Sequence, residues 1–212
     1  MFGVTDLWLF ILSGIALNMI PGPDSLFIIG RSAGQGFRAG SMAALGIGTG
    51  TLVHIFAAAF GLSAILATSA TAFTVIKIIG CLYLLYIGLS MLRAKAHNGD
   101  NTAAIKTQPM PLGKIFYQGF LTNSLNPKVA LFFLAFVPQF IAADAPDKAL
   151  AFIFLGLVFN INGMLWCHFL AWSSASVGAK LKHNQNLNRC LTKLTGGLFL
   201  YFGIKLALSE QN

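Results

Sequence analysis

Two apolar segments of this chain are each interrupted by a polar cluster containing proline. The first reads Asn18-Met19-Ile20-Pro21-Gly22-Pro23-Asp24 and the second Asn123-Ser124-Leu125-Asn126-Pro127-Lys128. Proline has no backbone N–H to donate and its ring clashes with the carbonyl one turn back, so each cluster ends a helix. Non-helical backbone at membrane depth persists only where protein buries it or where it lines a water-filled cavity. Paired interruptions at corresponding positions of two halves point to the binding site of a transporter.

That the segments belong in a bilayer follows from composition. Hydrophobic residues make up 56% of the chain and charged residues 9%, with a mean hydropathy of +0.74. No Asp, Glu, Lys or Arg occurs from Ala39 to Ile76 or from Ala149 to Ala179, and one membrane span needs roughly 20 mostly apolar residues. The pattern predicts an all-α polytopic membrane protein with six transmembrane helices, near 7–30, 41–66, 72–92, 115–139, 149–175 and 190–208. Helices one and four are the broken ones. The first is expected to be a span and not a cleaved leader, because residues 1–6 contain no Lys or Arg. One membrane domain, 1–212, is expected, made of a three-helix block (1–93), a polar linker (94–114) and a second three-helix block (115–212).

Basic residues fix the expected orientation. Arg31 and Arg38 follow span one; Arg93, Lys95, Lys106 and Lys114 lie in or beside the linker; Lys180, Lys182 and Arg189 follow span five. The opposite side carries Asp6, Asp144, Asp147, Lys148 and Glu210. Both termini are therefore expected outside the cytoplasm. The net charge of +8 is this bias, divided among short loops, and nucleic acid is not an expected partner. With three spans per half, the second half enters the membrane from the opposite side. A trace of an inverted repeat supports this: Lys77-Ile78-Ile79-Gly80-Cys81-Leu82 in span three parallels Lys193-Leu194-Thr195-Gly196-Gly197-Leu198 in span six, and Asn18 aligns with Asn123.

At about 1.5 Å of rise per residue, both breaks fall in the middle third of a core about 30 Å thick. Asp24 then lies about 10 Å from the cytoplasmic end and Lys128 about 20 Å from it, so an ion pair between them is not assumed. Pro23 suits the first position of a restarted helix, and a carboxylate beside it is stabilised by the helix dipole. Asp24 thus has a purely structural reading next to a functional one. Asn126 reads as a helix N-cap with Pro127 first in the helix. That puts the Lys128 ammonium where the dipole opposes it, at a depth where a charge costs about 2.5–3.5 kcal/mol. The expectation is an anion site at Lys128. Asn18, Pro21, Gly22, Pro23, Asp24, Asn123, Asn126, Pro127 and Lys128 form the candidate substrate site, and Asp24 and His54 are candidates for proton coupling.

Other polar residues in the spans carry weaker signals. His54 and His168 can relay protons or simply hydrogen-bond a neighbouring helix. Asn160 and Asn162 are two apart and do not share a helix face, so at most one faces a cavity. Gly40, Ala44 and Gly48, with Gly46 and Gly50, read as a close-packing surface. Cys81, Cys167 and Cys190 are isolated and form no dithiol, and no P-loop, metal-ligand cluster or Gly-x-Ser-x-Gly elbow occurs. An enzyme, a metal and a cofactor are therefore not expected. The alternatives are a channel, or a membrane-embedded enzyme using Lys128 on an anionic lipid or isoprenoid phosphate. A homo-oligomer is compatible with the pattern.

Asn18-x-x-Pro21-Gly22-Pro23, then Gly34, Gly36, Gly40 and Gly46, then Asn126-Pro127-Lys128 with Leu131-Phe132-Phe133 and Pro138-Gln139-Phe140, resemble the LysE/RhtB family of bacterial amino-acid exporters. The closing Leu194-Thr195-Gly196-Gly197 block also fits, and the resemblance covers nearly the whole chain. It implies a bacterial inner-membrane protein that exports amino acids or close derivatives, driven by the proton-motive force. It does not fix the substrate, since members handle basic, neutral and hydroxylated amino acids. The sparse intramembrane acids favour neutral amino acids or homoserine- and threonine-like compounds. The family's redox relatives carry cysteine motifs that this chain lacks.

Overall fold

The computed structural model of the chain describes residues 2–20, 22–62, 109–142 and 144–177, together with single helical positions between 64 and 93 and between 193 and 204. The described residues are helical apart from short connections and one isolated antiparallel bridge, Val4 with Ile141. Helix α1 spans Leu7–Met19, α2 Pro23–Gln35, α3 Phe37–Phe56, α4 Leu112–Ser124, α5 Pro127–Leu131 and α6 Lys148–Val177. Wider π-type turns extend α3 over Ala57–Leu62 and α5 over Phe132–Phe136. A tighter turn, Val137–Phe140, follows where Pro138 withdraws a backbone donor.

Both breaks fall where proline chemistry placed them. Ile20, just before Pro21, is extended at φ −69°, ψ 124°, as steric conflict with a following proline ring requires. α1 and α2 meet at 55°, and α4 and the α5 segment at 45°. α3 and α6 are long and apolar enough to cross a membrane, and each bent pair taken as one span makes four among the described residues. The expected spans 72–92 and 190–208, and the repeat traced between them, lie largely outside the described residues, as do residues 94–108 of the expected linker.

Two boundaries move. The first span runs to Gln35, not to residue 30, so Arg31 lies within α2. The expected basic connection shrinks to Gly36, whose φ of +83° is a conformation glycine adopts without strain. Asp24 is consequently eleven residues (35 − 24) from the end of its helix, about 17 Å, deeper than the 10 Å expected. α4 begins at Leu112, inside the stretch read as linker.

The bent pairs run antiparallel. At one end the backbone of Thr5 donates to Phe140 O (2.9 Å) and that of Ala142 to Gly3 O (2.8 Å), joining the start of α1 to the end of the α5 segment. At the other, Arg31 donates to Gln118 Oε1 (3.2 Å) and Gln35 to Met110 O (3.0 Å), joining the end of α2 to the region of α4's start. α3 fills the space between α4 and α6, and its glycines allow the approach. A Cβ at Gly46 would overlap the Phe116 carbonyl oxygen, and one at Gly50 would stand 2.8 Å from that of Phe120. On the α6 side Gly48 faces Met164.

Packing divides into two cores. Phe10, Phe132, Phe133, Phe136, Phe140, Phe152 and Phe159 belong to one, at the end where the N-terminal segment pairs. Ile28, Ala39, Ala43, Ala44, Ile47, Ile115 and Ala171 form the other. Along α6, Leu157, Ile161, Leu165, Phe169 and Trp172 recur at helical spacing and are exposed, the face such a helix turns to lipid.

Candidate functional site

Each break frees backbone groups, and the opposite half of the chain satisfies them. α1 ends at the carbonyls of Leu17, which accepts from Ile20 N–H at 3.3 Å, and of Ile20, in the last turn where a helix runs short of its own N–H donors. The Lys128 ammonium crosses from the second break and donates to Leu17 O at 2.9 Å and Ile20 O at 3.4 Å. A cation at a helix C-terminus meets the favourable end of the dipole. The expectation that the dipole opposes Lys128 is therefore corrected. Only its backbone stays at the start of α5, where Lys128 N–H donates to the Asn126 side chain at 3.0 Å. Its long side chain carries the charge to the end of a different helix.

Asn126 and Pro127 cap and open α5 as their chemistry demands, and Pro23 opens α2 with Asp24 in the first turn. Asp24 Oδ2 accepts from Asn123 Nδ2 (2.9 Å) and Asn126 Nδ2 (3.1 Å). The two breaks thus meet through a carboxylate of one and two amides of the other. Asp24 and Lys128 each take these other partners and form no ion pair, in keeping with the sequence reading.

Behind Asn123 stands α3. The Thr51 hydroxyl is shared between Asn123 Oδ1 and Ile47 O, both at 3.2 Å. His54 Nε2 donates to the Asn123 backbone carbonyl at 2.9 Å, and its ring stacks on Phe133. Among the described residues, Asn123 is the hydrogen-bonded link between His54 and Asp24. His168 donates from Nδ1 to Met164 O (2.9 Å) and shares a hydrogen bond between Nε2 and the Ser41 hydroxyl (3.1 Å), which ties α6 to α3.

A cavity of about 50 Å³ opens where the two cores meet, with room for a few waters and small beside ligand pockets of about 300–1,000 Å³. Of the candidate residues, Asn18, Gly22, Asp24, Asn123, Asn126 and Lys128 line it. Pro23 and Pro127 shape the breaks without lining it, and Pro21 lies outside the described residues. Leu17, Ile47, Val129, Phe159 and Met164 supply apolar wall, and Asn160 lines it while Asn162 does not. Among the described residues, three lining side chains hold buried polar atoms without a hydrogen-bond partner: Asn18 Nδ2, Asp24 Oδ1 and Trp166 Nε1. Sequence reading missed Thr51, Trp166 and Cys167. Thr51 was detectable as the residue one helical turn before His54, and Cys167 as the residue seven beyond Asn160 on one face of α6.

Two antiparallel broken helices whose interruptions share a carboxylate, an ammonium and a cavity define a multi-pass membrane protein of the transporter class. The chain belongs to the LysE type translocator family, whose model matches residues 15–210. It is 32% identical to an uncharacterized membrane protein of Pseudomonas aeruginosa over 208 residues, covering 97% of this chain and 96% of that one. It is 31% identical to the leucine efflux protein of Salmonella typhimurium over 210 residues (99% and 98%) and 30% identical to that of an Enterobacter species over 206 (97% of each). No solved structure matches the chain significantly.

Proposed function

We propose that this protein exports neutral, apolar amino acids of leucine's kind from the cytoplasm across the bacterial inner membrane, coupled to the proton-motive force. One observation carries the reading. The cavity between the breaks is lined by one carboxylate with a free oxygen and one ammonium, and the rest of its lining is amide, hydroxyl, thiol, indole and apolar. A zwitterion brings one charge of each sign. Its ammonium takes Asp24 Oδ1, and its carboxylate takes the remaining N–H capacity of Lys128 beside Asn18. A basic amino acid brings a second positive charge that no second lining acid among the described residues meets. The leucine efflux proteins related over their full length support the same class.

Transport follows from alternating access. The two halves, 1–93 and 115–212 with the linker between, rock about the fixed breaks, and Asp24 carries the coupling proton when it is not holding the ammonium. His54 is the secondary candidate, acting through Asn123. In proteoliposomes, labelled leucine and its neutral analogues should show saturable, gradient-driven flux, while lysine should not. Lys128→Met should insert normally and weaken leucine binding about ten- to a hundredfold, the scale of a charge-assisted hydrogen bond. A wild-type protein that moves no neutral amino acid ends this reading. Unchanged leucine affinity in Lys128→Met reduces Lys128 to the cap of α1.

Both termini are proposed to face the periplasm. The pairing of residues 3–5 with 140–142 puts those segments on one side, and Arg31 marks the other. With the native cysteines replaced, a thiol at position 145 should label from outside and one at position 97 only from inside. The reverse pattern would invert the orientation.

A further inference from the structure

We infer that Trp166 is a specificity-determining residue of this site, its indole N–H reading the substrate carboxylate together with Asn18. The inference rests on the amino-acid reading of the cavity and adds a residue from α6, which neither break contributes. Asn160, Gly163 and Cys167 share one face of α6, at helical spacing, and Trp166 flanks that face with a side chain large enough to join the cavity wall. Its Nε1 is buried with no hydrogen-bond partner among the described residues. Buried Trp N–H groups ordinarily have a partner, and a buried donor left without one is costly. The same wall holds a second orphan donor, Asn18 Nδ2, which Gly163 admits: a Cβ there would stand only 3.4 Å from that atom.

Two unmatched donors require an acceptor. The unmatched acceptor of the wall, Asp24 Oδ1, asks for a donor instead. The three atoms complement the two ends of an amino acid: a carboxylate for the donors and an ammonium for the acid. Indole has a donor and no acceptor, so Trp166 selects for the carboxylate and gives nothing to an amine.

The test compares leucine with 3-methylbutylamine, which lacks only the carboxylate, as unlabelled competitors of labelled leucine bound to the purified wild-type protein and to Trp166→Phe. Phenylalanine keeps most of the ring and loses the N–H. Leucine affinity should fall about tenfold or more while that of the amine is unchanged, so the preference for the acid shrinks. Trp166→His, which retains an N–H donor, should recover part of the loss, and Trp172→Phe on the exposed face should change nothing. If Trp166→Phe fails to fold, the protein with Trp8 and Trp172 replaced by phenylalanine reports on Trp166 alone. Its emission should shift with leucine and not with the amine. Equal losses for leucine and the amine, unchanged leucine affinity, or an emission blind to leucine would overturn the inference and leave the amino-acid reading standing. Absence of leucine binding to the wild type would remove both.

Discussion

Asp24→Asn is expected to abolish uphill export while leaving the protein inserted at normal abundance. The substitution is nearly isosteric. The introduced amide oxygen still accepts from Asn123 and Asn126, the two donors that join the breaks, so the scaffold survives. The other carboxylate oxygen, Oδ1, has no hydrogen-bond partner among the described residues, and there the amide puts an N–H₂ group in place of an acceptor. A substrate ammonium then meets a donor where it needs an acceptor, and the only negatively charged lining group among the described residues is gone. Among the described residues, the same change removes the one lining side chain able to carry a proton as a carboxylic acid. Binding and coupling should fail together: leucine accumulation driven by a pH gradient should drop to background in proteoliposomes. Full uphill export would return Asp24 to a helix-start role.

Much of this site was legible because proline acts locally. The extended residue before Pro21, the helix starts at Pro23 and Pro127 and the Asn126 cap follow from side chains within two or three positions of the break. That the breaks meet followed from counting helical rise. What escaped depended on partners far along the chain. Lys128 reads as a charge opposed by its own helix because no local pattern shows that its side chain ends at the carbonyls of Leu17 and Ile20, more than a hundred residues earlier. Arg31 reads as a loop residue because a basic side chain normally ends a span. Instead α2 continues to Gln35, and Arg31 is held by Gln118 and Gln35 and stands 5.5 Å from the centre of the Phe27 ring. Trp166 was hidden in an apolar run, where an indole reads as membrane filler until its N–H is found without a partner.

The satisfied groups also explain why the breaks are tolerated. Non-helical backbone in a bilayer leaves N–H and C=O groups whose desolvation costs several kcal/mol each. Here Lys128 covers the end of α1, and His54 and the Asn126 N–H both donate to the carbonyl of Asn123. Ties of this kind hold the breaks together in one conformation, and the alternating access proposed above requires that they be exchanged for others. The substrate's own ammonium and carboxylate are suited to help, because they offer the same kinds of donor and acceptor.

The central claim is that amino acids pass through the cavity between the two breaks, and a native thiol lies on its wall. Cys167 lines that cavity and is not in a disulfide. In a protein with Cys81 and Cys190 replaced by alanine, a small methanethiosulfonate reagent should modify Cys167 and block leucine transport. Saturating leucine should slow that modification several-fold, whereas lysine should not. Modification that proceeds at the same rate with and without leucine, in a protein that still transports leucine, would contradict the account and put the pathway elsewhere.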